Sequence, residues 1–115
     1  MKTANISEQK IVDFINGLEN SNIKICFDVD GTLIYNEDTP DKEPDTPRYD
    51  VIKLFHLFES IGCQLFVWSG GGIDYATRWA LKLGLNCYLA EKGSFEPDIA
   101  IDDEYVRLGK VNIKV

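Results

Sequence analysis

The chain has 115 residues, 44% of them hydrophobic, which suits one packed domain and is too short for two comfortable cores. Its formal charge of −7 argues against a general binder of nucleic acid or of acidic membrane, because neither gains counterion release from an acidic protein. Three cysteines without CxxC spacing (Cys26, Cys63 and Cys87), a polar stretch over residues 1–10 and no apolar run of membrane-spanning length predict reduced thiols, no zinc site and a cytoplasmic protein.

In chain order, residues 6–19 read as a helical extension. Ile11, Phe14, Ile15 and Leu18 recur at helical spacing, and Ser7 suits an N-cap. Residues 23–28 then form a buried strand that ends in Asp28-Val29-Asp30-Gly31. Asp28 and Asp30 sit two apart, so in extended chain their carboxylates leave one face. Paired carboxylates at the end of a buried strand are costly without a positive partner.

Residues 34–47 hold three prolines and five acids, Glu37, Asp38, Asp41, Glu43 and Asp45. They read as an exposed loop or short hairpin, either a solvated connector or a flap over Asp28. Residues 48–61 carry Val51, Leu54, Phe55, Phe58 and Ile61 on one helical face, with Gly62 as the stop. A second apolar strand, residues 64–68, runs into Ser69-Gly70-Gly71-Gly72. A helix over 73–83 follows, stopped by Gly84, and then a short strand over 86–89. Residues 91–97 form a loop with Lys92, residues 98–101 a strand ending in Asp102-Asp103-Glu104, and residues 111–115 an alternating edge strand.

Alternating strands and helices with short links predict an α/β fold. This is a Rossmann-like three-layer sandwich with a mainly parallel sheet and helices on both faces. Ligands of such sheets bind beyond the carboxyl ends of the strands. Asp28 and Asp30, Ser69, and Asp102 and Asp103 all stand where an apolar strand stops. Oxygen donors of this kind suit magnesium. Ser69, with the N–H groups of Gly70, Gly71 and Gly72, suits phosphate oxygens, and Lys92 supplies positive charge. Together they fit phosphoryl transfer through an aspartyl intermediate.

Each piece alone has a plainer reading: a turn at Asp28-Asp30-Gly31, a flexible turn at Ser69, a surface lysine at Lys92, an N-cap at Asp102. A calcium loop starting at Asp28 fails, because Leu33 and Thr39 stand where that loop needs Gly and Glu. A receiver domain would carry its acidic pair after the first strand and its nucleophile later, the reverse of the order here. Trp68, Trp79, Phe55, Phe58 and Phe66 read as core. Tyr35, Tyr49 and Tyr75 suit the edge of a cleft without any one being selected. His56 and Arg78 receive no role.

The motif set resembles the haloacid dehalogenase superfamily of phosphohydrolases. Asp28-Val29-Asp30-Gly31-Thr32-Leu33 matches its first motif, Phe66-Val67-Trp68-Ser69-Gly70 its second, Lys92 its third and Ile99-Ala100-Ile101-Asp102-Asp103 its fourth. The resemblance implies Asp28 as nucleophile and magnesium ligand. It implies Asp30 as proton carrier, with its backbone carbonyl on the metal. Ser69, Gly70 and Lys92 would hold the phosphoryl group, Lys92 also aiding catalysis, and Asp102 and Asp103 would complete the metal site. Family insertion points lie after the first motif and after the third strand, and neither has room here for a folded cap. The expectation is a single, capless domain over 1–115 with an open site, residues 34–47 as its only local cover. A large phosphorylated substrate, or a partner subunit acting as lid in a homo-oligomer, then fits. The alternative is a phosphate-binding or regulatory module with little turnover.

Overall fold

The computed structural model describes residues 22–115, so the helical extension expected over 6–19 lies outside the described residues. The architecture is α/β, with a five-stranded, all-parallel sheet. The elements run β1 (Lys24–Asp28), α1 (Tyr49–Ser60), β2 (Gln64–Trp68), α2 (Ile73–Leu83), β3 (Tyr88–Leu89), β4 (Ile99–Asp102) and β5 (Val111–Lys114). Their order across the sheet is β3-β2-β1-β4-β5. The chain thus builds outward from β1 on one side, then returns to build outward on the other. β1 is central and flanks the point where that direction reverses, which is where open parallel sheets bind ligands.

Alternation along β1 sorts the core into two sides. Ile25, Phe27 and Val29 join Val51, Phe55 and Phe58 of α1 and Ala76 of α2 in the main cluster. Phe27 meets Phe55 at 5.2 Å and Phe58 at 6.4 Å between ring centroids. Cys26, Trp68 and Ala100 point the other way, and Phe66, Ala90, Phe95 and Leu108 pack on them. Both described helices therefore cover one side, as two successive right-handed crossovers in one direction require. Among the described residues, connecting segments pack on the other side. The return from β3 to β4 spans only residues 90–98, too short for a packed helix, and Phe95 seals it by stacking 5.0 Å from Phe66 and 5.7 Å from Trp68. The all-parallel sheet is compatible with the expected Rossmann-like sandwich without a cap, and both described helices lie on one side of it.

The expected boundaries hold to within a residue or two. α2 ends at Gly84, which takes φ 67° and returns its N–H to Ala80 and Leu81 carbonyls. β3 is shorter than the stretch over 86–89, reduced to the two residues that pair with Phe66 and Val67. Residues 31–48 form turns and isolated bridges, and no additional domain is inserted among the described residues. The neck of the 34–47 loop is a minimal hairpin: Ile34 bridges Pro47 antiparallel, the Tyr35 N–H donates to Thr46 O at 2.9 Å, and the Asp45 N–H donates to Tyr35 O at 2.9 Å. No helix among the described residues is long and apolar enough to cross a membrane.

Candidate active site

Strand register builds the site. Asp28 pairs with Trp68, so Ser69 follows at the same rim, and Phe27 pairs with Ile101, which sets Asp102 one step on, beside Asp28. The chain then leaves β1 in a tight turn. The N–H groups of Thr32, Leu33 and Ile34 converge on the Val29 carbonyl at 3.1, 2.9 and 3.2 Å. Gly31 makes that turn possible. Its φ is +77°, and a Cβ there would lie 2.1 Å from Asp103 Oδ2 and 2.9 Å from Asn36 Nδ2. The glycine of the Asp-Gly motif is thus the space into which Asp103 fits.

Asp28, Asp102 and Asp103 form one cluster whose ligand atoms all lie within 4.8 Å of one another. Asp28 and Asp102 are almost wholly buried, 5% and 2% exposed, which for carboxylates demands compensation. Lys92 provides part of it. Its Nζ donates to Asp28 Oδ1 at 3.0 Å and to Asp102 Oδ2 at 2.8 Å. The 90–98 segment that Phe95 pins to Trp68 therefore delivers an ammonium to the cluster. Thr32 Oγ1 lies 3.3 Å from Asp28 Oδ2 and 3.4 Å from Asp103 Oδ1, and its single proton serves one of them at a time. Asp102 Oδ1 accepts the Glu104 N–H at 3.0 Å.

Among the described residues, three carboxylates face one ammonium, which leaves the cluster short of positive charge. Burial first, and then Asp102, push the Asp28 carboxyl up to about 7, with Lys92 working the other way. Burial, with Asp102 and Glu104 beside it, also raises Asp103. Burial disfavours the Lys92 ammonium, but Asp102 and Asp28 outweigh it and its pKa rises. A divalent cation fits this donor set. The ligands are all oxygens, they converge, and the lysine ammonium already lies between two of them as a cation would.

The remaining expected residues stand around this cluster. Asp30 is exposed and is not part of the acidic trio; its Oδ1 accepts the Tyr75 hydroxyl at 2.6 Å. Ser69 is 3% exposed, and its Oγ accepts the Gly71 N–H at 3.0 Å, leaving the hydroxyl proton free to donate. The Gly72 N–H is spent on Ser69 O at 3.1 Å. Gly71 and Gly72 therefore do not offer the N–H groups expected of them, and of the three glycines only Gly70, exposed on the rim, is untouched by these two bonds.

Three residues given no catalytic or binding role in the sequence reading belong to this region. Among them are Tyr75, read only as a candidate for the cleft edge, and Arg48, read only as offsetting the acidic loop's charge together with Lys42. Tyr75 holds Asp30, and its only sequence signal is its position in the first turn after the glycine run. Thr32 is fully buried between two acids. Arg48 donates from Nη1 to Gly31 O at 2.8 Å and from Nη2 to Asp50 Oδ2 at 3.0 Å, tying the end of the acidic loop to the turn after Asp30. Lys42 of the loop and Arg48 just beyond it also approach the Tyr35 ring at 5.3 and 5.6 Å, so both cations serve the loop's neck. His56 is exposed and pairs with Glu59 at 3.1 Å. Compared with known proteins, the chain matches no family model and no curated sequence.

Proposed function

We propose that the protein is a magnesium-dependent phosphomonoester hydrolase that works through an aspartyl-phosphate intermediate, as a capless relative of the haloacid dehalogenase phosphohydrolases. The observation that carries this reading is the Lys92 ammonium joining Asp28 and Asp102 at the carboxyl ends of adjacent central strands, with Asp103 in reach. Asp28, Asp102 and Asp103, with the Asp30 carbonyl, would hold the ion. Bound there, it would neutralise the carboxylates and the phosphoryl oxygens, which in this pocket keeps Asp28 ionised at neutral pH.

The chain's own groups supply the rest. An Asp28 carboxylate oxygen attacks phosphorus in line with the ester oxygen, whose bond to phosphorus breaks. Asp30 gives its proton to the departing alkoxide. It then takes a proton from water, and that oxygen attacks the phosphorus of the aspartyl phosphate, freeing inorganic phosphate and the Asp28 carboxylate. The Ser69 hydroxyl and Gly70 N–H donate to phosphoryl oxygens, and Lys92 balances their charge. The exposed acids of the 34–47 loop favour phosphoesters whose remaining part is not itself strongly anionic. Three free thiols support a reducing compartment such as the cytoplasm.

A panel of phosphomonoesters assayed with magnesium and with EDTA tests the reading. Magnesium-dependent release of phosphate by wild type, lost in Asp28→Asn, is the expected result. Pure protein inert across the panel but still binding phosphate would favour a phosphate-binding module instead.

A further inference from the structure

The turn after β1 carries an exposed carboxylate, Asp30, held among the described residues by one side chain from a different element. Tyr75 lies in the first turn of α2, just beyond the Ser69 loop, and its hydroxyl donates to Asp30 Oδ1 at 2.6 Å. Its ring is itself fixed. A Cβ at Gly71 would lie 3.3 Å from Tyr75 Cγ and Cδ2, so the ring rests against the glycine loop, and the Arg78 guanidinium covers it at 5.8 Å. The Tyr75 side chain thus spans from the Ser69 loop to Asp30, linking the turn beyond β1 to the turn beyond β2.

We infer that Tyr75 is a positioning residue. Its hydroxyl anchors one oxygen of Asp30, so that the other oxygen is presented to the ester oxygen when it leaves and to water in the second step. This rests on the phosphatase reading above and assigns a residue to its proton transfer. The chemistry asks for such an anchor. A free carboxylate at the surface samples several rotamers, whereas general acid catalysis needs the proton within hydrogen-bond reach of the leaving oxygen. A short bond from a phenol ties one oxygen and leaves the second to carry the proton.

Leaving-group dependence separates this role from a structural one. A good leaving group needs little protonation, whereas a poor one depends on it. Single-turnover release of alcohol is measured for p-nitrophenyl phosphate and phenyl phosphate with magnesium, in wild type and in Tyr75→Phe. The expected result is a loss of about tenfold or more on phenyl phosphate, a much smaller loss on p-nitrophenyl phosphate and little change in KM. Equal losses on the two esters, or none on either, would overturn the proposal. Independently of turnover, the Asp30 carboxyl carbon resonance, assigned with Asp30→Asn, is expected to shift in Tyr75→Phe while that of Asp102 stays put. An unmoved Asp30 resonance would also overturn it. Wild type inert toward both esters, with the resonance shifted, would overturn the phosphatase reading and leave the contact standing.

Discussion

Asp28 and Asp102 share one cation, the Lys92 ammonium, 3.0 Å from the first carboxylate and 2.8 Å from the second. Both acids are buried at the ends of neighbouring parallel strands, and Asp103 adds a third carboxylate to the same cluster. Among the described residues three carboxylates face one ammonium, and that imbalance has measurable consequences.

Replacing Lys92 exposes the imbalance directly. In EDTA, Lys92→Met is expected to lose about 1–3 kcal/mol of stability. That is less than the ~3–5 kcal/mol of a fully buried broken pair, because the lysine is partly solvated and Asp28 can take up a proton. Magnesium at ~100 times its dissociation constant is expected to restore about 2.7 kcal/mol. Urea melts of wild type and variant, in EDTA and in magnesium, read both effects. Melts that do not respond to magnesium in either protein would rule out the metal cluster.

The pH dependence has a definite sign. The folded-state pKa of Asp28 is raised from 3.8 to about 7, so the folded protein binds the proton more tightly than the unfolded chain does. Stability from this group is fully present below pH ~4 and is lost as pH rises through about 7, by at most ~4 kcal/mol at 1.36 kcal/mol per pH unit. Cation-free protein is therefore expected to lose stability from pH ~4 to pH ~7 and to level off above that, and Asp28→Asn to flatten that slope. Magnesium binds the ionised form, so its apparent affinity is expected to rise over the same window. Denaturation midpoints in EDTA across this range decide the matter: a slope unchanged by Asp28→Asn assigns the effect to other groups.

Gly31→Ala tests the packing of the turn. The added methyl meets Asp103 Oδ2 at 2.1 Å and must adopt φ +77°. A loss of about 1–3 kcal/mol is expected, together with weaker magnesium binding because Asp103 is displaced. Calorimetric titration with magnesium, alongside a thermal melt, separates the two effects. Unchanged binding in a folded Gly31→Ala protein would mean that Asp103 does not contribute to the cation site.

The strands and helices were legible because their apolar periods are clean: Phe27 and Val67 on buried strands, and Val51, Phe55 and Phe58 along α1. The convergence of Asp28, Lys92 and Asp102 was legible because each follows or sits near a strand end and a parallel sheet brings those ends together. Tyr75 was not legible. Its role depends on how far α2 tilts its first turn toward the Asp30 loop, a tertiary distance that no spacing encodes. Nor was the use of Gly71 and Gly72, whose N–H groups close the Ser69 turn instead of facing outward. Phe95 was read only as part of a loop, yet its contact with Trp68 fixes the segment that carries Lys92. Such an aromatic anchor in a short return loop has no periodic signature.

The most direct test of the central claim is the rate of phosphate release from p-nitrophenyl phosphate by wild type and Asp28→Asn, each with magnesium and with EDTA. Expected is turnover by wild type only with magnesium, falling by about a thousandfold or more in Asp28→Asn. Turnover that persists in EDTA, or that survives in Asp28→Asn, would contradict a metal-assisted reaction through Asp28.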